Sequence, residues 1–341
     1  MSRSEITIDL AALRRNAAAL VEAAGGAELW AVVKADAYGH GAVDCARAAL
    51  GGGARALCVA TAKEGAALRS ELPEARILVL SPLAEGDEAL AREAGLEVAV
   101  SSLPLPEGLA VHVKVDTGMG RFGMSPEDAA SVDPGRVVGV MSHLATADEE
   151  DASFARAQLE AFVEIAARFP GATRHVANSA ATLSLPQSRF DAVRCGVALY
   201  GLSPFGRDPA EHGLEPVLSW RSYVAQAKTL GAGGSTGYGR RFVAEGETRI
   251  GLVPVGYADG FRRGLTGTQV LVGGTRRRAL GTVSMDSFAV ELGDEPEGAS
   301  VTLIGDGLFV EEHARHLGTI NYEVTTGIVS DPRRAERRVH G

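Results

Sequence analysis

Short apolar runs recur along the first 200 residues, and polar stretches with helical periodicity separate most of them. There are eight such runs, at residues 29–33, 56–60, 76–80, 97–100, 110–115, 136–141, 173–177 and 192–195. Amphipathic helices are predicted between several of them, at residues 41–50, 61–71, 85–95 and 151–169. Because alternating strands and helices favour parallel pairing with right-handed crossovers, eight such units predict an α/β fold, a (β/α)8 TIM barrel.

Two intervals between the predicted strands do not fit this alternation. The stretch "SSLPLPEGL" after residue 100 holds two prolines, and "MSPEDAASVDPG" at residues 124–135 is short and bounded by proline. Neither interval has room for a full helix. The outer ring of helices is therefore expected to be thin on this side of the barrel.

The pattern changes after about residue 216 to strand-like runs separated by glycine turns, which predicts a C-terminal all-β domain. We place the barrel domain at residues 1–220 and the β-strand domain at residues 221–341. The first strand, at residues 4–9, is expected to pair with the C-terminal domain. Asp9 is the predicted N-cap of a helix that continues to about Ala24.

Composition excludes several classes of function. The 341 residues carry a formal net charge of -9 with scattered basic residues, so nucleic acid is not an expected partner. No apolar stretch of about 18 residues is present and the start of the chain lacks a secretory pattern, which predicts a cytoplasmic protein without membrane contact. Three widely spaced cysteines predict buried thiols, and no metal site is predicted.

Chemically active side chains follow the predicted barrel strands. In parallel barrels the active groups lie at the carboxyl ends of the strands. In chain order, these positions hold Lys34 and Tyr38, then Lys114, Asp116 and Arg121, then His143, then His175, Asn178 and Ser179, then Arg194 and Gly196.

Lys34 is the most informative of these residues. A buried lysine has a lowered pKa, which frees its amine to form a Schiff base. The hydroxyls of Tyr38 and Ser179 and the amides near Gly196 suit a phosphorylated carbonyl cofactor, and Arg194 is suited to face a ring nitrogen. These residues together favour a pyridoxal phosphate site over an isolated surface lysine.

Eight sequence blocks, taken in order, resemble the bacterial alanine racemase family, whose members are pyridoxal-phosphate enzymes of fold type III. The blocks are "VVKADAYGHG", "VHVKVDTGMGRFG", "SHLATADE", "HVANSAATL", "VRCGVALYGL", "VGYADG", "SMD" and "INYEV". They extend from about residue 5 to residue 330. The resemblance implies an isomerase that interconverts L-alanine and D-alanine and supplies D-alanine for peptidoglycan.

The resemblance also implies a two-base mechanism. Lys34 matches the lysine that binds pyridoxal 5'-phosphate covalently and acts on the D-alanine side. Tyr257 matches the opposite base, which the other subunit of a head-to-tail homodimer supplies. Since a free tyrosine has a pKa of about 10, ionising it at pH 7 costs roughly 4 kcal/mol. In the family, the histidine matching His143 contacts this tyrosine and is bonded to the arginine matching Arg194.

The resemblance also implies roles for the remaining site residues. Phosphate binding is implied for Tyr38, Ser179, Tyr322 and the backbone amides of Gly196 and Val197. Substrate binding is implied for Arg121 and, through its amide, for Met285. Lys114 matches a lysine that many members carry carbamylated, which would hold Arg121 by an ion pair.

Alternatives and departures remain. A broad-specificity amino-acid racemase shares the architecture, whereas a non-catalytic cofactor carrier would lack the Tyr257 block and a decarboxylase would not need Tyr257.

The motif "GMGRFG" at residues 118–123 lacks the helix that a dinucleotide site requires. The closing segment "TTGIVSDPRRAERRVHG" departs from the family, and Ser287 stands where glutamine is common, which weakens Asp286 as an entry-channel residue.

Overall fold

The computed structural model describes residues 2–341, which form two compact units. The barrel unit comprises Leu13–Phe205 and Ala210–Glu215. The sheet unit comprises residues 2–12, Gly206–Pro209 and Pro216–Gly341.

Eight parallel strands of the barrel unit form a closed barrel in which neighbours in sequence are neighbours in space. These strands are β2 (Glu28–Val32), β3 (Ala56–Val59), β4 (Ile77–Val79), β5 (Glu97–Val100), β6 (Ala110–Lys114), β7 (Val137–Met141), β8 (Thr173–His175) and β9 (Ala192–Cys195). The last strand pairs with the first, Leu29 opposite Val193. The predicted TIM barrel is confirmed.

The helices were predicted well where their apolar face is periodic. In chain order the helical segments are α1 (Leu10–Ala24), α2 (Lys34–Gly39), α3 (Ala42–Gly51), α4 (Ala62–Glu71), α5 (Asp87–Glu93), α6 (Pro126–Ala130), α7 (Ser153–Ala166), α8 (Ser179–Ser184), α9 (Val310–Leu317) and α10 (Asn321–Thr326). The exception to regular helix geometry is α2, which was not predicted and whose backbone is left-handed from Ala35 to Tyr38. The Asp9 carboxylate accepts a hydrogen bond from the Ala12 amide over 2.9 Å, so it caps α1 as expected.

The outer ring of the barrel is thin where the prolines predicted it. The chain between β5 and β6 contains no helix, and α6, between β6 and β7, has only five residues. Inside the barrel, the fully buried ring of Trp30 contacts the imidazoles of His112 and His175, with ring centroids 5.7 and 4.5 Å away. Polar rings therefore occupy part of the barrel interior.

The sheet unit is built on a nine-stranded sheet in the order β11-β14-β17-β16-β15-β18-β10-β1-β19. The strands are β1 (Glu5–Asp9), β10 (Leu218–Tyr223), β11 (Gln226–Leu230), β14 (Thr248–Val253), β15 (Gln269–Val272), β16 (Thr275–Leu280), β17 (Phe288–Glu291), β18 (Ser300–Ile304) and β19 (Glu336–His340), and a separate pair is formed by β12 (Ser235–Thr236) and β13 (Phe242–Val243). The unit is β-rich but also carries α9 and α10, so "all-β" describes it incompletely.

Two further observations bear on the expectations from composition. No helix within residues 2–341 is long and apolar enough to cross a membrane. Cys45, Cys58 and Cys195 are buried thiols, as predicted. Burial raises the pKa of Cys58 and Cys195 to about 12, which keeps both thiols protonated and unreactive.

Candidate active site

Lys34 follows the first barrel strand, as the sequence predicted. The four residues Leu29 to Val32 are buried, and Lys34 itself is half-buried two positions after β2 ends. Burial lowers the pKa of the Lys34 amine, and the positive charge of Arg121 lowers it further. The neutral amine, which is the nucleophilic form, is therefore easier to reach than in an exposed lysine.

The backbone directly after Lys34 is left-handed over four consecutive residues that are not glycine. Ala35, Asp36, Ala37 and Tyr38 have φ angles of 52°, 51°, 53° and 55°. Left-handed backbone costs roughly 1–2 kcal/mol per residue with a side chain, so this turn is strained. Nothing in the residue types "ADAY" predicted it.

Two side-chain carboxylates hold the strained turn. Glu64 Oε1 accepts a hydrogen bond of 2.9 Å from the Ala35 amide, while its other oxygen accepts one of 2.7 Å from the Ala60 amide. Asp36 Oδ1 accepts one of 2.7 Å from the Ala42 amide. Glu64 was not among the predicted residues, because in sequence it reads only as part of a helix N-terminus.

The turn places Tyr38 against Gly196. Tyr38 is buried, and a Cβ atom at position 196 would overlap the Tyr38 hydroxyl. The Ser179 hydroxyl accepts hydrogen bonds from the amides of Gly196 over 3.1 Å and Ala198 over 3.4 Å. Two hydroxyls and adjacent backbone amides thus converge, and this donor set suits a phosphate group. The structure brings Tyr38, Ser179 and Gly196 together as predicted, with Val197 next in the chain.

Arg194 is buried, and its two Nη nitrogens bind groups of the barrel interior. Its Nη1 donates to Nδ1 of His175 over 2.8 Å and to the His175 carbonyl over 2.6 Å, and its Nη2 donates to the carbonyls of Ser142 and Val176. The resemblance implied a bond between Arg194 and His143, whereas the side chain that binds Arg194 is His175. The reason is topological, since His175 ends β8, the strand beside the one that carries Arg194.

A hydrogen-bonded chain continues from Arg194 across the barrel. His175 Nε2 lies 2.8 Å from His112 Nδ1, and His112 Nε2 lies 2.8 Å from Glu97 Oε2. The other oxygen of Glu97 accepts a bond of 2.7 Å from Arg76 Nε. Sequence reasoning missed Glu97 and His112, although the spacing of His112 and Lys114 along one strand places both side chains on the same face.

His143 lies in a strongly cationic surrounding. Burial, followed by the charges of Arg194, Arg121, Lys114 and Lys34, lowers the pKa of His143 to about 3, so this imidazole is neutral at pH 7. Its loop is tied to α7, because Nε2 of the buried Gln158 donates to the His143 carbonyl over 3.1 Å. Gln158 is a second residue that the sequence did not single out.

Arg121 lies close enough to Lys114 to lower the pKa of that amine. Burial lowers the pKa of Lys114 to about 8, and Arg194, Arg121 and Lys34 add to the effect. The backbone amide of Arg121 donates to Asp116 Oδ2 over 3.2 Å, which ties its loop to the end of β6. An excess of positive charge therefore surrounds the end of this strand.

Three predicted residues belong to the sheet unit. Tyr257 and Met285 are 42% and 53% exposed, and Tyr322 is half-buried on α10. The Tyr257 amide donates to the Ser284 carbonyl over 3.1 Å, and the Ala258 amide donates to the Met285 carbonyl over 3.0 Å. Tyr257 and Met285 thus lie on two hydrogen-bonded segments, although 28 positions separate them in sequence.

Comparison with known proteins covers both units. A family model described as "Alanine racemase, N-terminal domain" matches residues 8–204, and one described as "Alanine racemase, C-terminal domain" matches residues 217–338. The chain is 42% identical to an alanine racemase from Streptomyces coelicolor, over 96% of this chain and 94% of that protein. It is 40% identical to alanine racemase 1 from Bacillus subtilis, over 95% and 90%.

Solved structures agree in fold. The structure of alanine racemase from D-cycloserine-producing Streptomyces lavendulae matches with a TM-score of 0.94 and 39% identity, covering 100% of this chain and 98% of that one. A Bartonella henselae alanine racemase with covalently bound pyridoxal phosphate matches with a TM-score of 0.91 and 28% identity, covering 99% of both chains.

Proposed function

The chain belongs to the alanine racemase family, and we propose that it interconverts L-alanine and D-alanine with pyridoxal 5'-phosphate bound through Lys34. The proposal places this isomerase in the supply of D-alanine for peptidoglycan. The observation that carries it is the strained turn, which joins the amine of Lys34, whose pKa is lowered by burial, to the hydroxyls of Tyr38 and Ser179 and the amide of Gly196. The cytoplasmic location expected from the sequence stays a prediction.

The residues present fit this cofactor. Tyr38, Ser179, Tyr322 and the amides of Gly196 and Val197 would hold its phosphate, and Arg194 would face its ring nitrogen. When bound, the cofactor withdraws electrons from the substrate's Cα and makes the Cα proton acidic. The enclosed guanidinium of Arg194 can only donate, so it would leave the ring nitrogen without an added proton.

Two bases are required because inversion removes a proton on one face of Cα and returns one on the other. Lys34 is the proposed base on the D-alanine face, and its lowered pKa makes the neutral amine that a base requires more available. Tyr257 is the proposed base on the L-alanine face. We propose that the partner subunit of a homodimer supplies it, so that each site is complete only in the dimer.

Substrate recognition rests on charge. Arg121 is the proposed partner of the alanine carboxylate, and the Met285 amide is a second donor to it. His143 is neutral in its cationic surrounding and would act by positioning Tyr257. The excess positive charge around Lys114 favours its carbamylation, because a carbamate replaces a cation by an anion next to Arg121.

Turnover of a panel of L-amino acids, followed by chiral analysis of the products, tests the proposed function. Racemisation of alanine far above serine, valine and lysine is the expected result. Comparable rates across the panel would support a broad-specificity racemase instead, and loss of carbon dioxide would contradict both.

The assignments of the two bases need separate tests. Borohydride reduction and peptide mapping are expected to place the cofactor on the peptide that contains Lys34. Tyr257→Phe is expected to suppress proton removal from L-alanine far more than it weakens cofactor binding. Near-normal turnover of this variant in both directions would overturn the role of Tyr257.

A further inference from the structure

The turn that carries Tyr257 is bonded along its backbone to the segment that carries Met285. Besides the two hydrogen bonds from Tyr257 and Ala258, the two segments touch at Gly256, where a Cβ atom would overlap the carbonyl oxygens of Ser284 and Met285. The side chain of Tyr257 is nevertheless substantially exposed. Its direction therefore depends on how firmly the turn beneath it is held.

A buried carboxylate closes this turn. Asp259 is 1% exposed, and its Oδ2 accepts a hydrogen bond of 2.8 Å from the Gly256 amide. Its Oδ1 accepts one of 2.7 Å from Arg334 Nε, and Oδ2 lies 3.3 Å from Arg3 Nη2. The Asp259 carbonyl accepts a further bond of 3.0 Å from the Val329 amide. A buried anion is thus held by a backbone amide and two guanidiniums.

The same two guanidiniums also hold the neighbouring segment. Arg334 Nη2 binds Asp286 Oδ1 over 2.8 Å, and Arg3 Nη2 donates to the Asp286 carbonyl over 2.7 Å. Arg3 is anchored in turn, since its Nε donates to the Pro254 carbonyl over 2.7 Å. Arg334 binds both segments at once, since Nε of its planar guanidinium binds Asp259 and Nη2 binds Asp286. The single ammonium nitrogen of a lysine cannot do this.

We propose that Arg334 and Arg3 are positioning residues for racemisation, fixing Tyr257 and Met285 through Asp259 and Asp286. This inference rests on the proposed function. We call the contacts among Arg3, Arg334, Asp259 and Asp286 the clamp. A displacement of about 1 Å at a reacting group can cost about a hundredfold in rate, so the clamp can affect the reaction without touching the substrate. Asp286 is then a member of the clamp, and its carboxylate is engaged by Arg334.

The closing segment of the chain supplies one half of this clamp. Arg334 lies two residues before β19 begins at Glu336. Its neighbour Arg333 provides a matched control, because that side chain is 87% exposed and pairs only locally with Asp331. The two arginines are adjacent in sequence but differ completely in what they hold.

Arg334→Met, Arg334→Lys and Arg333→Met, compared with the wild-type holoenzyme, test the proposal. Amide hydrogen exchange in the peptide covering residues 256–261 is expected to accelerate at least tenfold in Arg334→Met and to stay unchanged in Arg333→Met. Arg334→Lys keeps one of the two ion pairs and is expected to recover part of the protection. If Arg334→Met does not fold, Arg334→Lys carries the comparison.

Kinetics with α-deuterated alanine give the second readout. In Arg334→Met, kcat/KM is expected to fall about tenfold to a hundredfold. The isotope effect should increase for conversion of L-alanine to D-alanine and decrease for conversion of D-alanine to L-alanine, because the Tyr257 step is slowed more than the Lys34 step. A purely structural role would lower the melting temperature and leave both isotope effects unchanged, which overturns the proposal.

Other outcomes are also decisive. If Arg334→Met behaves like Arg333→Met in hydrogen exchange and in kinetics, the positioning role of Arg334 is wrong but the proposed function is not affected. If the wild-type protein does not racemise alanine, the proposed function is wrong, and so is the positioning role that depends on it. Faster exchange confined to residues 256–261, together with the opposed isotope effects, supports the proposal.

Discussion

Arg194 donates a hydrogen bond of 2.8 Å to Nδ1 of His175, and this single contact determines the protonation of a whole chain of groups. A guanidinium cannot accept, so His175 Nδ1 carries no proton and the ring holds its proton on Nε2. His175 Nε2 then donates to His112 Nδ1, and His112 Nε2 donates to Glu97. Both imidazoles are neutral, and every bond in the chain points from Arg194 towards Glu97.

Neutral buried histidines predict a protein that loses stability in mild acid. Burial lowers the pKa of His112 and holds that of His175 well below its usual value, while that of His143 is about 3. The unfolded chain binds protons at these groups near pH 6.5 and the folded chain does not, so the free energy of unfolding falls as the pH drops below about 6.5.

Urea unfolding between pH 7.5 and pH 5 measures this effect. His143→Gln removes one proton uptake and is expected to flatten the slope by up to about 1.4 kcal/mol per pH unit. His340→Gln replaces an exposed histidine and serves as the control for the substitution itself. A His143→Gln slope equal to that of wild type would show that this ring is not buried and neutral in solution.

Gly196→Ala is expected to weaken cofactor binding, because the added methyl group would overlap the Tyr38 hydroxyl. Overpacking of this kind costs about 1–3 kcal/mol, which corresponds to roughly fivefold to 150-fold in affinity. Absorbance titration of the apoprotein with pyridoxal 5'-phosphate gives the dissociation constant. Gly246→Ala adds a methyl group in open space and should leave that constant unchanged.

The Tyr38→Phe background identifies the cause of the Gly196 effect. Removing the hydroxyl removes the shortest contact of a Cβ at position 196 but leaves the ring carbon Cζ 2.8 Å from it. Gly196→Ala should therefore still weaken binding in Tyr38→Phe, but less than in the wild-type chain. Equal losses in both backgrounds would assign the effect to the ring carbons and not to the hydroxyl.

Ala35→Gly is expected to stabilise the protein by about 0.5–1 kcal/mol, since glycine adopts left-handed backbone without the penalty that Ala35 carries. Ala67→Gly is the matched control, because Ala67 is an exposed alanine in the right-handed helix α4 and should lose about 1 kcal/mol. Thermal unfolding of the two variants measures the difference. Equal destabilisation of both would mean that the turn after Lys34 is not left-handed.

Lys114 is expected to form a carbamate. With a pKa of about 8, a substantial fraction of its amine is neutral near pH 8 and can react with carbon dioxide, and this fraction grows as the pH rises. Protein equilibrated with ¹³C-bicarbonate should show a carbamate carbon in its NMR spectrum. The signal should vanish in Lys114→Met and persist in Lys63→Met, which replaces an exposed lysine. Its persistence in Lys114→Met would assign it elsewhere.

The sequence by itself determined the barrel, its thin side and the family, because these depend on local patterns. Apolar runs of four to six residues indicate buried strands wherever they occur, and the prolines after Val100 exclude a helix without reference to the rest of the chain. The rule that strand ends carry function then selected Lys34, Arg194 and their neighbours. Eight ordered sequence blocks named the family, and the comparisons confirm it.

Only the tertiary structure decided which of these side chains meet. The left-handed turn after Lys34 is held by Glu64, the bond of Arg194 goes to His175, and Asp259 is paired with Arg334, which lies 75 positions away. Such contacts join residues that are distant along the chain, and they form only when the barrel closes or the sheet assembles. Local periodicity reports the face that a residue occupies, but it contains no information about its partner across the fold.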